Sequence, residues 1–216
     1  MNTIIGYIHI CQKGDWTRTF RMLIDAIKQS GLYEQTSVIR LGVLNDAGVL
    51  KEDEILKDSK FQIVYTGKSA EYERPTLLHM RKSAENDDAE NTLYYYLHTK
   101  GIRHFGTSKE ACVVDWINCM IYWNIEEWRD AVEKLKVYST YGCMDNNDYY
   151  SGNFWWARRD HIIKLPNKIG SHYGNPETWI QIVRNNKYSA YNLTYDGTKS
   201  YTTRVPREDY VKKKAE

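Results

Sequence analysis

The first hundred residues constrain the fold most, because strand-like and helix-like patterns alternate along them. Thr3–Cys11 reads TIIGYIHIC, which alternates enough to predict a strand, and Gln12-Lys13-Gly14-Asp15 is a polar turn. From Trp16 the apolar residues Trp16, Phe20, Leu23, Ile24 and Ile27 recur every three or four positions, and Gly31 stands just past the end as a C-cap. SVIRLGVL (Ser37–Leu44) and FQIVYT (Phe61–Thr66) predict two more strands, the second after the charged segment KEDEILKD. Pro75 opens a helix continued by Thr76–Ala84, since proline's fixed φ and missing N–H suit a first turn. The acidic ENDDAEN then leads into a strand over Thr92–Leu97. Strand, helix, strand, strand, helix, strand is the order of an α/β domain.

The second half is less regular. A polar loop, IRHFGTS, precedes a helix from Lys109 to about Lys136, in which Val113, Trp116, Ile117, Met120 and Trp123 keep the helical period. Strand character returns in Val137–Cys143 and Tyr150–Ala157, and a further helix runs from Pro176 to about Asn185. PREDYVKKKAE at the end is charged and lacks a buried pattern, which sets a domain over 1–205 and a tail, or the start of a linker to a further domain, over 206–216.

A chain of 216 residues suits one domain with a sizeable core. A net charge of +2 with interspersed signs gives no basic field, so nucleic acid is not an expected partner. No apolar run approaches the roughly 18 residues of a membrane span, and MNTIIGYIHICQKG lacks the basic lead and cleavage site of a signal peptide, so a cytoplasmic location is expected. Cys11, Cys112, Cys119 and Cys143 lack CxxC spacing and read as reduced core residues rather than as a disulfide or metal site. The pattern leaves the oligomeric state open.

The strand Thr92–Leu97 runs into His98-Thr99-Lys100-Gly101, giving YYYLHTKG. In an open α/β sheet the carboxyl ends of the strands line a crevice for ligands, which makes His98 and Lys100 candidate ligand contacts as well as candidate solvated loop residues. SGNFWWA (Ser151–Ala157) admits a hairpin entry followed by core aromatics. It equally admits a ligand surface in which the glycine lets backbone approach closely and Asn153 bonds hydroxyls through its amide. Adjacent strand residues face opposite ways, so one of Trp155 and Trp156 is expected to meet ligand and the other to be core. Glu177, at the start of a helix after GSHYGNP, is the best placed carboxylate, though a first-turn acid is also favoured by the helix dipole. Asp145 and Asp148 in CMDNNDYY are rivals for metal or acceptor contact, or else turn formers, and His172 is either a metal ligand or solvated.

Together YYLHTKG, the Trp-rich helix, YSGNFWWARRDHI and NPETWI resemble a family of small glycosyltransferases of the GT-A fold, including chlorella-virus enzymes of capsid-glycan synthesis. The resemblance covers Thr3 to about Asn185 and is most specific at LHTKG and SGNFWWA. It implies a single GT-A-like, Rossmann-like domain with a mixed central sheet flanked by helices. By activity it implies transfer of a hexose or deoxyhexose from a UDP-sugar to a glycan or glycoprotein acceptor, with retention favoured over inversion, in the host cytoplasm if viral. The alternative is a non-catalytic glycan-binding module; a nucleotidyltransferase that makes the UDP-sugar is a weaker rival, since no G-x-G-x-x-G or Walker-type phosphate loop occurs. By position Glu177 would act at the sugar, with Asp145 and Asp148 as the other catalytic candidates. Tyr7, His9, Asp15, Tyr65, Thr66, Arg74, Thr76, His98, Lys100, Asn153, Trp155 and Trp156 would bind the donor. Relatives carry Asp-Xaa-Asp where this chain has His98-Thr99-Lys100, and the chain contains no Asp-Xaa-Asp at all. Mn²⁺ is the cofactor the resemblance implies, with His98, Asp145 and His172 as its ligands; alternatively the Lys100 ammonium meets the diphosphate charge.

Overall fold

The computed structural model describes residues 2–45, 57–87, 91–183, 186–192 and 200–212. Residues 51–56 of the charged segment, 184–185 at the end of the expected last helix, and 213–216 of the expected tail lie outside the described residues.

Among the described residues seven strands form one sheet: β1 Thr3–Cys11, β2 Thr36–Leu44, β3 Phe61–Gly67, β4 Thr92–His98, β5 Thr140–Gly142, β6 Trp155–Arg158 and β7 Lys187–Ser189. Their order is β3-β2-β1-β4-β6-β5-β7. β1, β2, β3 and β4 are mutually parallel, β6 runs antiparallel to both β4 and β5, and β7 is parallel to β5. The chain is therefore a mixed α/β domain with a Rossmann-like central sheet flanked by helices.

β1 is buried along most of its length because both faces of the sheet are covered. Ile4, Ile8 and Ile10 join one core cluster with Phe20, Leu23, Ile24 and Ile27 of α1 (Trp16–Gln29) and Trp116, Ile117 and Met120 of α4 (Glu110–Ile121). Ile5 and Tyr7 join another with Leu77 and Met80 of α3 (Arg74–Asn86), and with Ile162 and Trp179. Trp155 and Trp156 are split between the same two clusters, as strand alternation requires.

The remaining helices are short: α2 Leu32–Gln35, α5 Trp128–Lys134, α6 Arg159–Ile162, α7 Asn175–Trp179 and α8 Arg207–Tyr210. The single helix expected over Lys109–Lys136 is interrupted by a π-helical turn at Tyr122–Glu126 between α4 and α5. There the Asn124 carbonyl accepts from Trp156 Nε1 at 2.8 Å, tying the turn to the sheet. The late strands are shorter than their apolar runs, because Cys143–Asn153 turns back on itself through a bridge between Asp145 and Tyr150. The segment expected as a charged tail is packed as far as Lys212. Tyr210 is buried, Arg207 pairs with Glu126 at 2.5 Å, and the Lys212 backbone N–H donates to Tyr122 Oη at 2.9 Å.

Candidate active site

A cavity of about 690 Å³ opens at the carboxyl ends of β1 and β4. Its floor comes from the strand ends His9, Cys11 and His98, and its sides from two turns that follow them, Lys13-Gly14 and Thr99–His104. Leu44, Ser69, Ala70, Tyr72 and Glu73 close one flank, and Tyr173, Glu177 and Tyr201 the other.

β1 and β4 are in register so that His9 sits opposite His98, and the two following turns are stitched together. The Thr99 N–H donates to the His9 carbonyl at 3.0 Å, and the Cys11 N–H to Thr99 Oγ1 at 3.0 Å. Thr19 of α1 donates to the Lys100 carbonyl at 3.0 Å. Lys100 thereby emerges from a fixed backbone. Its ammonium lies 4.6 Å from the centre of the Trp116 ring and 3.6 Å from Glu177 Oε1, with the side chain only 12% exposed. Burial alone would lower the Lys100 pKa; the charge of Glu177, aided by Tyr201 and Glu73, overrides it, and the net shift is upward. The lysine is a fixed cation.

His98 differs. Burial, reinforced by the Lys100 charge, pushes its pKa down to about 4, and burial does the same to His9. Both rings are neutral at neutral pH. His98 Nε2 is 2.8 Å from the Gly152 carbonyl, which can only accept, so Nε2 carries the hydrogen. Gly152 has φ +92°, and a Cβ there would run into Met120 Sδ, so this position admits glycine alone. His9 Nδ1 meets Thr76 Oγ1 at 2.8 Å.

Glu73 escaped the sequence reading. It occupies the N-cap position of α3, immediately before Arg74-Pro75, and the proline-opened helix was the available signal. Its Oε2 accepts from Tyr96 Oη at 2.7 Å and Asn153 Nδ2 at 2.6 Å, while Asn153 Oδ1 accepts from Trp155 Nε1 at 2.8 Å. Tyr72, beside it, adopts φ 52° and ψ −149°, a region costly for any side chain by roughly 1–3 kcal/mol and concentrated at ligand sites. Its ring meets Tyr173 edge-on at 5.3 Å across the mouth, and both are exposed. Lys13, Arg103, His104 and Tyr201 also belong to the wall and also went unread; exposed loop residues carry no period to mark them.

Of the predicted donor contacts, His9, His98 and Lys100 lie on the wall, as does the predicted catalytic Glu177. The others are placed elsewhere. Tyr7 is fully buried in the core, with Arg40 donating to its hydroxyl at 2.9 Å. Asp15 caps α1 through the Arg18 N–H. Tyr65 donates to Glu71 at 2.7 Å, and neither it nor Thr66 reaches the cavity. Arg74 grips three successive carbonyls, those of Gly170, Ser171 and His172, at 2.7, 2.7 and 2.8 Å, so it anchors the loop that leads to Tyr173 and Glu177. Thr76 and Asn153 are buried supports for His9 and Glu73. Trp155 and Trp156 are both core, so the expectation that one meets ligand is corrected: β6 lies inside the sheet, between β4 and β5, with helices over both faces.

Asp145 is held by Lys187 at 2.7 Å and is off the cavity wall, as is the exposed Asp148. His172 accepts from the Gly174 N–H at 3.2 Å within its own loop. The three expected metal ligands, His98, Asp145 and His172, are thus not brought to one place, and among the described residues no group of three or more His, Cys, Asp or Glu side chains could hold a metal ion. None of the four cysteines is in a disulfide, and Cys11 lines the cavity instead of the core. No helix among the described residues is long and apolar enough to cross a membrane.

No family model matches the sequence, and no curated protein matches it. Among solved structures, HddC from Yersinia pseudotuberculosis superimposes with a TM-score of 0.49 at 10% identity, covering 95% of this chain and 96% of its own, a likeness that says nothing of activity.

Proposed function

We propose that the protein is a glycosyltransferase whose cavity takes a UDP-sugar and passes a hexose or deoxyhexose to a glycan acceptor. The observation that carries this reading is the Lys100–Glu177 pair: a buried cation and a carboxylate 3.6 Å apart, inside a cavity at the carboxyl edge of parallel strands. A diphosphate leaving group needs a fixed positive charge where negative charge develops, and the sugar carbon needs a carboxylate beside it as base, hydroxyl ligand or stabiliser of an oxocarbenium-like centre. The cavity's size falls within the usual range of roughly 300–1,000 Å³ for small-molecule sites. In this reading His9, Cys11, Leu44, Ser69 and Ala70 face the nucleoside. Lys13, Lys100 and Arg103 face the diphosphate, and Glu177 the sugar.

The resemblance of LHTKG and SGNFWWA to the GT-A family supports the reading, and extends it to viral capsid-glycan synthesis with retention. The expected ligand set for Mn²⁺ does not assemble, because Asp145 is paired with Lys187 and neither it nor His172 lines the cavity with His98. The diphosphate charge is therefore assigned to Lys100, with no step routed through a metal.

Calorimetric titration with UDP, GDP and CMP tests the reading. UDP is expected to bind tightest, since a pocket built for the uracil edge rejects a purine by size and cytosine by hydrogen-bond mismatch. Lys100→Met removes the ammonium that lies over Trp116 while keeping an unbranched side chain, and should weaken UDP about tenfold, as expected for one charge-assisted contact. Equal binding of all three nucleotides would sink the donor assignment, and a bare binding module for glycans would ignore all three.

A further inference from the structure

Glu73 and His98 present an unusual pairing. His98 Nδ1 and Glu73 Oε1 face each other at 3.8 Å on the cavity wall, too far for a hydrogen bond. Each is fixed from behind: His98 Nε2 is committed to the Gly152 carbonyl, and Glu73 Oε2 to Tyr96 and Asn153. With the imidazole hydrogen on Nε2, Nδ1 has a lone pair and no hydrogen. Among the described residues no hydrogen bond reaches either Nδ1 or Oε1. Two acceptors are thus held side by side, each lacking a donor, and packing prevents either from turning away.

Resting on the glycosyltransferase reading, we propose that this acceptor pair is a subsite for a vicinal diol of the donor, one sugar hydroxyl donating to Nδ1 of His98 and its neighbour to Oε1 of Glu73. The pair calls for two donor hydrogens, and a cis or gauche diol supplies them on adjacent atoms. An ammonium would supply hydrogens too, but the Lys100 cation already acts on His98, so a neutral donor is favoured. A diol reaching this point belongs either to the ribose or to the transferred sugar, since the subsite shares one cavity wall with His9, Lys100 and Glu177. The depressed pKa of His98 agrees with an imidazole that accepts.

Glu73→Gln separates this from an ion pair. Glutamine keeps the shape, its carbonyl oxygen can accept from Tyr96 and Asn153, and its amide N–H can donate to His98 Nδ1, closing the gap without ligand. The variant should melt no lower than the parent yet lose about tenfold in affinity for ligands carrying the diol. The ribose arm compares UDP with 2′-deoxy-UDP and 3′-deoxy-UDP; the sugar arm compares UDP-glucose and UDP-galactose with UDP-2-deoxyglucose. In one arm the parent should discriminate about tenfold and Glu73→Gln by less than twofold. Nitrogen NMR of the parent should show His98 with its hydrogen on Nε2 alone at pH 7. An imidazolium there, with Glu73→Gln melting lower, would make the contact an internal ion pair and overturn the proposal. So would affinities in both arms that ignore Glu73, leaving the UDP-sugar reading intact. Failure of every uridine ligand to bind the parent overturns that reading and the diol subsite together.

Discussion

On the parallel side of β4 the cavity is walled by strand ends, whereas beyond β4 it is walled by loops tied down with side-chain bonds. His9, His98 and Lys100 owe their places to backbone register between β1 and β4. Tyr173 and Glu177 follow a loop fixed by the Arg74 guanidinium, and Asn153 reaches across from the β6 approach to hold Glu73. Register is a cooperative property of many hydrogen bonds; a side-chain tether is one or a few. The first side should therefore respond to what disturbs the whole sheet, and the second to single substitutions.

Acid is the largest disturbance of the first kind. His9 and His98 titrate near 4 in the folded protein, each held down chiefly by burial, against an ordinary 6.5. Between those values the unfolded chain takes up protons that the folded one refuses. Stability is fully present above pH 6.5 and falls as pH drops towards 4, by about 3 kcal/mol for each histidine taken separately. Urea unfolding at pH 7 and pH 4.5 measures it, and His98→Gln should flatten the slope. An unchanged midpoint would mean that the strand-end histidines are already charged or hydrated.

Next in size is a single substitution on the looped side. Glu177→Gln should lower sugar transfer at least a hundredfold under the proposed function, because the amide keeps the size but loses the charge that responds to the transition state. UDP affinity should stay level or tighten, since Lys100 loses a competing partner. Measured on one preparation, the two quantities either separate, or they fall together and return Glu177 to the role of a helix-start acid.

What the sequence disclosed follows the same division. β1 runs over Thr3–Cys11 as its pattern indicates, and α1 buries the apolar stripe of Phe20, Leu23, Ile24 and Ile27, because both are set by local period. His98, Lys100 and Glu177 were readable as residues of the candidate cavity because they stand at element ends. Glu73 was not, since its importance comes from Tyr96 and Asn153, 23 and 80 residues away in sequence. Asn153 carried the signal of a turn residue, which its φ of 57° bears out, but its target could not be read from a string. The π-helical turn was hidden for a related reason: Trp116 and Met120 of α4 and Trp123 within the turn keep one helical period, and the interruption is stabilised by a bond from Trp156 in another element.

The smallest expected effect tests the boundary of the site. Asp145 shared the catalytic and metal expectations, yet its carboxylate is held by Lys187 on β7, away from the cavity. Asp145→Asn removes one charge from a pair whose side chains are 21% and 26% exposed, so solvent screens much of the interaction and the cost should be about 0.5–1 kcal/mol. Lys187 would still donate to the Asn147 carbonyl at 2.6 Å, and the Asp145 N–H would still meet Asn192 Oδ1 at 3.0 Å, so the turn keeps its shape. Turnover should then change less than twofold. The contrast with Glu177→Gln is informative because both substitutions neutralise a lysine-paired carboxylate on the same looped side of the domain, and only one of those carboxylates faces the cavity. A large loss of activity from Asp145→Asn, with melting temperature preserved, would move the reacting sugar towards β7 and break the assignment of Glu177.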